Sequence, residues 1–278
     1  MHLIILHGYL LQGTGSNIYV ANIARAWARQ GHAVTVVCQD LQAQNLPFIT
    51  EYIAPGEQLP TQAPPDGTIR VVVPEINRLL PVYVLDKYEG FEVKRIQDMS
   101  EDEIETHIRL TARVLRQVAK QPAHSILANH VLLSPVIAKR ALENLPIQYD
   151  VKIHGSAVEY SLVPHPELMN YAIEGLRHAR TIFTGTRYVR DRVTDVFATY
   201  RETLRLQDKL QIVSPGMDPE LFNLADDFSQ HESRFLENVK RMQHLNPDGR
   251  RQGRIEVLPL EPAASLHQRL VDLGNTYD

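Results

Sequence analysis

"LIILHGYLLQGTGSNIYVANIARAWARQGHAVTVVC" runs from Leu3 to Cys38, and its reading decides the fold. Leu3–His7 is a short apolar run of the kind buried in parallel sheets. Asn17–Arg29 has helical spacing, with Ile18, Ala21, Ile23, Ala24 and Trp27 towards one side. Ser16 or Asn17 can cap its start, and Gly31 follows its end. Ala33–Cys38, "AVTVVC", is β-branched and predicts a second strand. The three pieces make a strand–helix–strand unit, which is right-handed almost by rule.

The same alternation continues outward. Gln39–Thr68 is rich in Pro, Gly and Gln and reads as an irregular excursion, and Ile69–Val73 as a strand. Pro74–Gly90 is part apolar and part aromatic; its "INRLLPVYVL" reads as a loop folded onto the domain, with lipid contact the less favoured use. Ser100 opens a helix through a capping box with Glu103, and Ile104, Ile108, Ala112, Leu115 and Ala119 form its apolar stripe. Further strands are expected at Ser125–Ala128, Tyr149–Ile153, Thr181–Thr184 and Leu210–Val213. Helices are expected over Leu132–Glu143 and Pro166–Ala179, and after the cap Thr186. The fold class is therefore α/β, an open, mostly parallel sheet with helices on both faces. After Phe222 the pattern weakens. Residues 225–278 hold one helix over Ser229–Gln243, one short apolar run and a final short helix, too little for a second α/β domain.

Composition bounds the function. The 278 residues are 44% hydrophobic and 22% charged with a net charge of −4, which offers no bulk attraction to nucleic acid or to an anionic membrane. Membrane contact is peripheral at most, since no run approaches the ~18 apolar residues of a spanning helix. The single Cys38 can form no internal disulfide and fits a cytoplasmic location.

In open α/β sheets, ligands bind beyond the carboxyl ends of the strands. Free amides at a helix start attract an anion there, most often phosphate. Gly13, Thr14, Gly15 and Ser16 supply such a loop. The glycines let a diphosphate approach the backbone, and the hydroxyls add donors. A dinucleotide fingerprint fits poorly, because Ile18 stands where a third glycine belongs and the loop lies well after the strand. Asp40 is the residue an NAD-dependent oxidoreductase would use for ribose, which leaves that reading as a minor alternative. A loop that merely turns the chain is the plain alternative.

"YDVKIHGSAVEY" repeats this logic: the strand ends in His154-Gly155-Ser156, and a neutral imidazole there can accept a proton or bond a hydroxyl. Its plain alternative is a histidine that caps the strand end. Asn129 and His130 follow another strand, and His7 ends the first. Three strand-end histidines raise the question of a metal, but neither their spacing nor any companion carboxylate supports one, and no metal or other cofactor is expected. "DKYEGFEV" mixes acids with aromatic rings. Tyr88 and Glu89 are its candidates for sugar binding, against the alternative of an ordinary surface loop.

In this order and spacing, the "GTGSN" loop, "QGHAVTVVC", "KIHGS" and "IVSPGMDPELF" resemble the N-terminal half of a retaining GT-B glycosyltransferase of the family 4 class, with a Rossmann-like sheet. The resemblance covers residues 1–222 and implies an acceptor-side domain there, with 223–278 as a linker and helical tail before a donor domain. It implies a nucleotide-sugar donor as substrate and a carbohydrate or other small-molecule acceptor. The Gly13–Ser16 loop would face the donor diphosphate, and His154, at the family's "HG" position, would lie near the donor sugar. Asn129, His130, Gly155, Ser156, Tyr88 and Glu89 would contribute to acceptor or sugar binding. The chain departs from the pattern in two places. Ser214-Pro215-Gly216 stands where the family hinge usually has Asn, and no stretch after Phe222 matches the basic opening or the glutamate pair of a donor domain. The resemblance therefore implies a chain incomplete for catalysis alone, to which a second chain can supply the donor half. A non-catalytic sugar- or acceptor-binding module is the alternative.

Overall fold

The computed structural model of the chain describes residues 1–85, 88–218 and 228–245. Two compact units divide it, Met1–Gly216 and Met217–Asp278. The first contains an eight-stranded sheet. Its strands are β1 (His2–Leu6), β2 (Ala33–Val37), β3 (Glu51–Ile53), β4 (Ile69–Val72), β7 (Ser125–Asn129), β8 (Tyr149–Ile153), β9 (Ile182–Thr184) and β10 (Leu210–Ile212). The order is β10-β9-β8-β7-β1-β2-β4-β3, and every pairing is parallel. This is the open Rossmann-like sheet expected from the alternation of elements.

Strand periodicity divides the core between the two faces. Ile4 and Leu6 join one apolar cluster, while Ile5 joins the other. The second cluster takes Val34, Val36, Ile69 and Val71 from the sheet and is covered by Val20, Ala21, Ala24 and Ala28 of α1 (Gly15–Arg29). The first takes Ile126, Ala128, Val151 and Ile153 and is covered by α2 (Glu101–Ala119) and α3 (Ser134–Ala141). The short α4 (Gly155–Ala157) precedes α5 (Met169–His178), which lies so close to α3 that a Cβ on Gly175 would come within 2.6 Å of the Val136 amide nitrogen. Arg140 of α3 pairs with both Glu105 of α2 and Glu174 of α5. α6 (Arg187–Val196) follows the Thr186 cap, and α7 (Arg201–Leu204) and α8 (Leu206–Lys209) lead into β10. The Ser100–Glu103 capping box is present in full. The second unit contains α9 (Phe228–Leu245), which spans the helix expected over Ser229–Gln243. The apolar run and last helix expected beyond it lie outside the described residues.

Three readings are corrected. Neither Ser16 nor Asn17 caps α1: Thr14 holds that position, and its side chain makes no capping bond. Asn17 is instead turned inward, fully buried. The excursion Gln39–Thr68 contains β3, an edge strand whose three residues are too few to show a period. The segment after Pro74 forms a two-stranded parallel sheet, β5 (Leu79–Val82) with β6 (Glu92–Arg95). Ile76, Leu80, Val82 and Tyr83 thereby enter the core, so most of the apolar "INRLLPVYVL" run is already covered, while Val84 and Leu85 stay exposed.

Candidate functional site

Strand register assembles the site. Leu6 pairs with Ala128, and Asn129 pairs with Lys152, so His7, His130 and His154 all emerge at one carboxyl edge of the sheet. The His7 and His130 rings stack with centroids 5.6 Å apart, and the His130 and His154 rings lie at 4.8 Å. Tyrosines close around them. Tyr9 meets His130 edge-on at 5.4 Å, Tyr83 meets it at 4.8 Å, and Tyr19 meets His154 at 5.4 Å. Tyr83 is fixed in turn, since its hydroxyl donates to the Leu132 carbonyl and its amide donates to the Tyr9 hydroxyl.

A cleft of about 460 Å³ opens over this edge. It is lined by Thr14, Gly15 and Ser16 at the start of α1, by Tyr9, Tyr83 and Tyr88, and by His130, His154 and Ser156. The first backbone bond of α1 runs from the Ile18 amide to the Thr14 carbonyl. The amides of Gly15, Ser16 and Asn17 precede that bond, and no intrahelical acceptor exists for them. Gly13, with φ of +93°, gives the loop the left-handed backbone that only glycine adopts easily. The far end of the loop is anchored by Asp40, whose carboxylate accepts from the Leu11 amide and the Gln42 amide, each at 2.9 Å. That engagement accounts for Asp40 without a ribose.

The histidines are neutral at physiological pH. Burial above all, with repulsion from the Lys152 ammonium and from His7 were that ring protonated, lowers His154 to a pKa of about 3. Burial lowers His7 to about 4, and it pushes His130 well below the ordinary imidazole value. The cleft thus presents imidazoles that exchange hydrogen bonds, not cations. His130 is the most constrained of them. Its backbone is left-handed (φ 72°), it is buried, and neither ring nitrogen has a hydrogen-bond partner. An orphaned buried polar ring held in a strained backbone is an arrangement concentrated at functional positions.

Of the expected site residues, Thr14, Gly15, Ser16, Tyr88, His130, His154 and Ser156 line this single cleft. Gly13, Gly155, Asn129 and Glu89 do not. Gly13 shapes the loop, Gly155 begins the short α4, Asn129 is buried beneath His154, and Glu89 points into solvent. Asp86 and Lys87 of "DKYEGFEV" lie outside the described residues. Tyr9 and Tyr83 were not anticipated. Tyr9 sits two positions beyond a strand-end histidine, which was a usable signal; Tyr83 is embedded in an apolar run and reads as core. Among the described residues, no group of His, Cys, Asp and Glu is placed to hold a metal ion.

Residues 14–206 match the model of the glycosyl transferase 4-like domain. The chain belongs to this glycosyltransferase family. No curated protein matches the sequence. Among solved structures, the catalytic domain of starch synthase IV from Arabidopsis thaliana, bound to ADP and acarbose, superposes with a TM-score of 0.50 at 12% identity over 99% of this chain. The chain spans 66% of that domain, and the likeness is one of GT-B fold. A looser likeness, TM-score 0.42 at 12% identity over 71% of this chain and 42% of the other, is to a putative UDP-N-acetylglucosamine 2-epimerase from Listeria monocytogenes. The family match begins at Thr14 and so takes in most of the helix-start loop and the whole of the His154 strand end.

Proposed function

We propose that the chain is the acceptor-side domain of a nucleotide-sugar-dependent, retaining glycosyltransferase that transfers a sugar to a carbohydrate or other small-molecule acceptor. The single observation carrying this reading is that the Gly15–Ser16 end of α1 and the imidazole of His154 line one cleft. When the bond between sugar and phosphate breaks, charge grows on the departing diphosphate. Fixed amides at a helix start stabilise that charge without reorganising, and the helix dipole adds to them. His154, neutral and at the cleft wall, hydrogen-bonds the transferring sugar. The rings of Tyr9, Tyr83 and Tyr88 offer apolar faces for the C–H faces of a sugar. The starch synthase that shares the fold is bound to ADP and acarbose, a pairing in keeping with this division of the cleft.

The other half of the donor site comes from a second domain, in this account supplied by a further chain or segment. Transfer needs no metal, because backbone amides take the role a divalent ion plays elsewhere. The setting is cytoplasmic, where nucleotide sugars serve as donors; among the described residues no helix is long and apolar enough to cross a membrane. The test is turnover of a panel of nucleotide sugars by the chain with and without a family donor domain. Turnover that appears only with that domain supports the reading. Saturable acceptor binding with no turnover in any combination points instead to a non-catalytic binding module.

A further inference from the structure

One nitrogen of His154 is already committed. Its Nε2 lies 3.1 Å from Oδ1 of Asn129. The Nδ2 of the same amide donates to the Leu6 carbonyl at 3.3 Å. A backbone carbonyl only accepts, so the nitrogen of the Asn129 amide must face Leu6 and its oxygen must face the ring. An amide oxygen also only accepts, so Nε2 must bring the proton. With the ring neutral, Nδ1 is left holding the lone pair. Among the described residues, no hydrogen bond reaches that Nδ1.

The device occurs twice at this sheet edge. His7 Nε2 lies 2.9 Å from Asn17 Oδ1, and Asn17 Nδ2 donates to the Gln12 carbonyl. Both asparagines are fully buried, and in both the acceptor-only carbonyl on the far side fixes which end of the amide faces the ring. Both bind an imidazole to a backbone carbonyl of an adjoining segment. Of the two clamped rings, only His154 also lines the 460 Å³ cleft.

We propose that Asn129 is the positioning residue of His154: it locks the imidazole as the Nε2–H tautomer, so that Nδ1 is presented as the acceptor for a substrate hydroxyl. The substrate half of this statement rests on the transferase reading; the tautomer half does not. It gives Asn129 a role through His154 and not through direct sugar contact, since both ends of its amide are occupied by the protein.

The test is long-range proton–nitrogen correlation on the full chain labelled at histidine nitrogens, near neutral pH, with the His154 signals assigned by their loss in His154→Gln. The expected wild-type spectrum shows one tautomer at residue 154, protonated at Nε2. In Asn129→Leu, which keeps the side-chain size and removes the acceptor, both tautomers should appear, and transfer by the complemented enzyme should fall by about tenfold or more. An Nδ1–H tautomer or an imidazolium in the wild type overturns the proposal, as does an unchanged tautomer in a folded Asn129→Leu. If that variant does not fold, the wild-type spectrum decides alone: protonation at Nε2 upholds the assignment and protonation at Nδ1 ends it. A donor-complemented enzyme with the expected tautomer that transfers no sugar defeats the transferase reading and leaves the Asn129 assignment standing.

Discussion

The carboxylate of Asp40, just past β2, accepts the amide of Leu11 at 2.9 Å and so ties the second strand to the loop that precedes α1. Asp40 is almost fully buried, and its other oxygen accepts from the Gln42 amide. Asp40→Ala leaves both amides short of an acceptor. Gln42 is exposed and water can take its amide, whereas the Leu11 amide is buried, and one unsatisfied buried donor costs ~1–3 kcal/mol, so a loss of about 2 kcal/mol in denaturant unfolding is expected, with a raised KM for the donor. The same engagement predicts that NADH, followed through Trp27 fluorescence, gives no saturable signal at micromolar concentration.

Two glycines of that loop should answer differently to alanine. A Cβ would meet nothing within 4 Å at either Gly13 or Gly15, so space does not separate them. Backbone does. Gly13 has φ of +93°, where an L residue is strained by ~1–2 kcal/mol. Gly15 opens α1 with no such constraint, so Gly15→Ala should hold or slightly raise stability. It should nonetheless raise the donor KM, because the added methyl stands where a diphosphate approaches the amides. Unfolding curves and donor titrations on the two variants check this. An undisturbed donor KM in Gly15→Ala removes the phosphate from that position.

Much of this architecture is legible in sequence because β1 and β8 are short, apolar-rich runs followed by a histidine, β7 is one that ends at Asn129, and β2 and β4 are rich in β-branched residues. Val34, Val36 and Val37 announce β2 by composition alone, and Ser100 with Glu103 announces α2 by its capping box. The strand-end histidines follow from the same reading, since a residue that ends a parallel strand must stand at the ligand edge. What escapes is whatever depends on register or on side-chain direction. Tyr83 looks like one more apolar residue after β5; only its bonds to Leu132 and Tyr9 make it part of the cleft. Asn17 looks like a helix cap because Asn suits that position, yet burial against His7 outweighs capping. β3 is too short to carry a period and exists through its pairing to β4.

Buried neutral histidines set the pH dependence of stability. His7 and His107 have folded pKa values lowered by burial from 6.5 to about 4. As pH falls below about 6.5, the unfolded chain binds protons that the folded chain refuses, so stability falls with pH. The penalty is absent above that pH, grows by up to ~1.4 kcal/mol per pH unit for each such histidine, and levels off below about 4. Denaturant midpoints at pH ~7.5 and pH ~5 should therefore differ clearly, and His107→Leu, away from the cleft wall, should flatten the slope by one proton. Equal midpoints at the two pH values would contradict the burial of uncharged imidazoles.

The central claim is that amides at the start of α1 and the imidazole of His154 serve one transfer reaction. The measurement that tests it most directly is the rate of sugar transfer by the donor-complemented enzyme, wild type against His154→Ala, with folding verified for both. A fall in kcat/KM of about 10²-fold or more is predicted. A His154→Ala enzyme that transfers sugar at the wild-type rate would contradict the account.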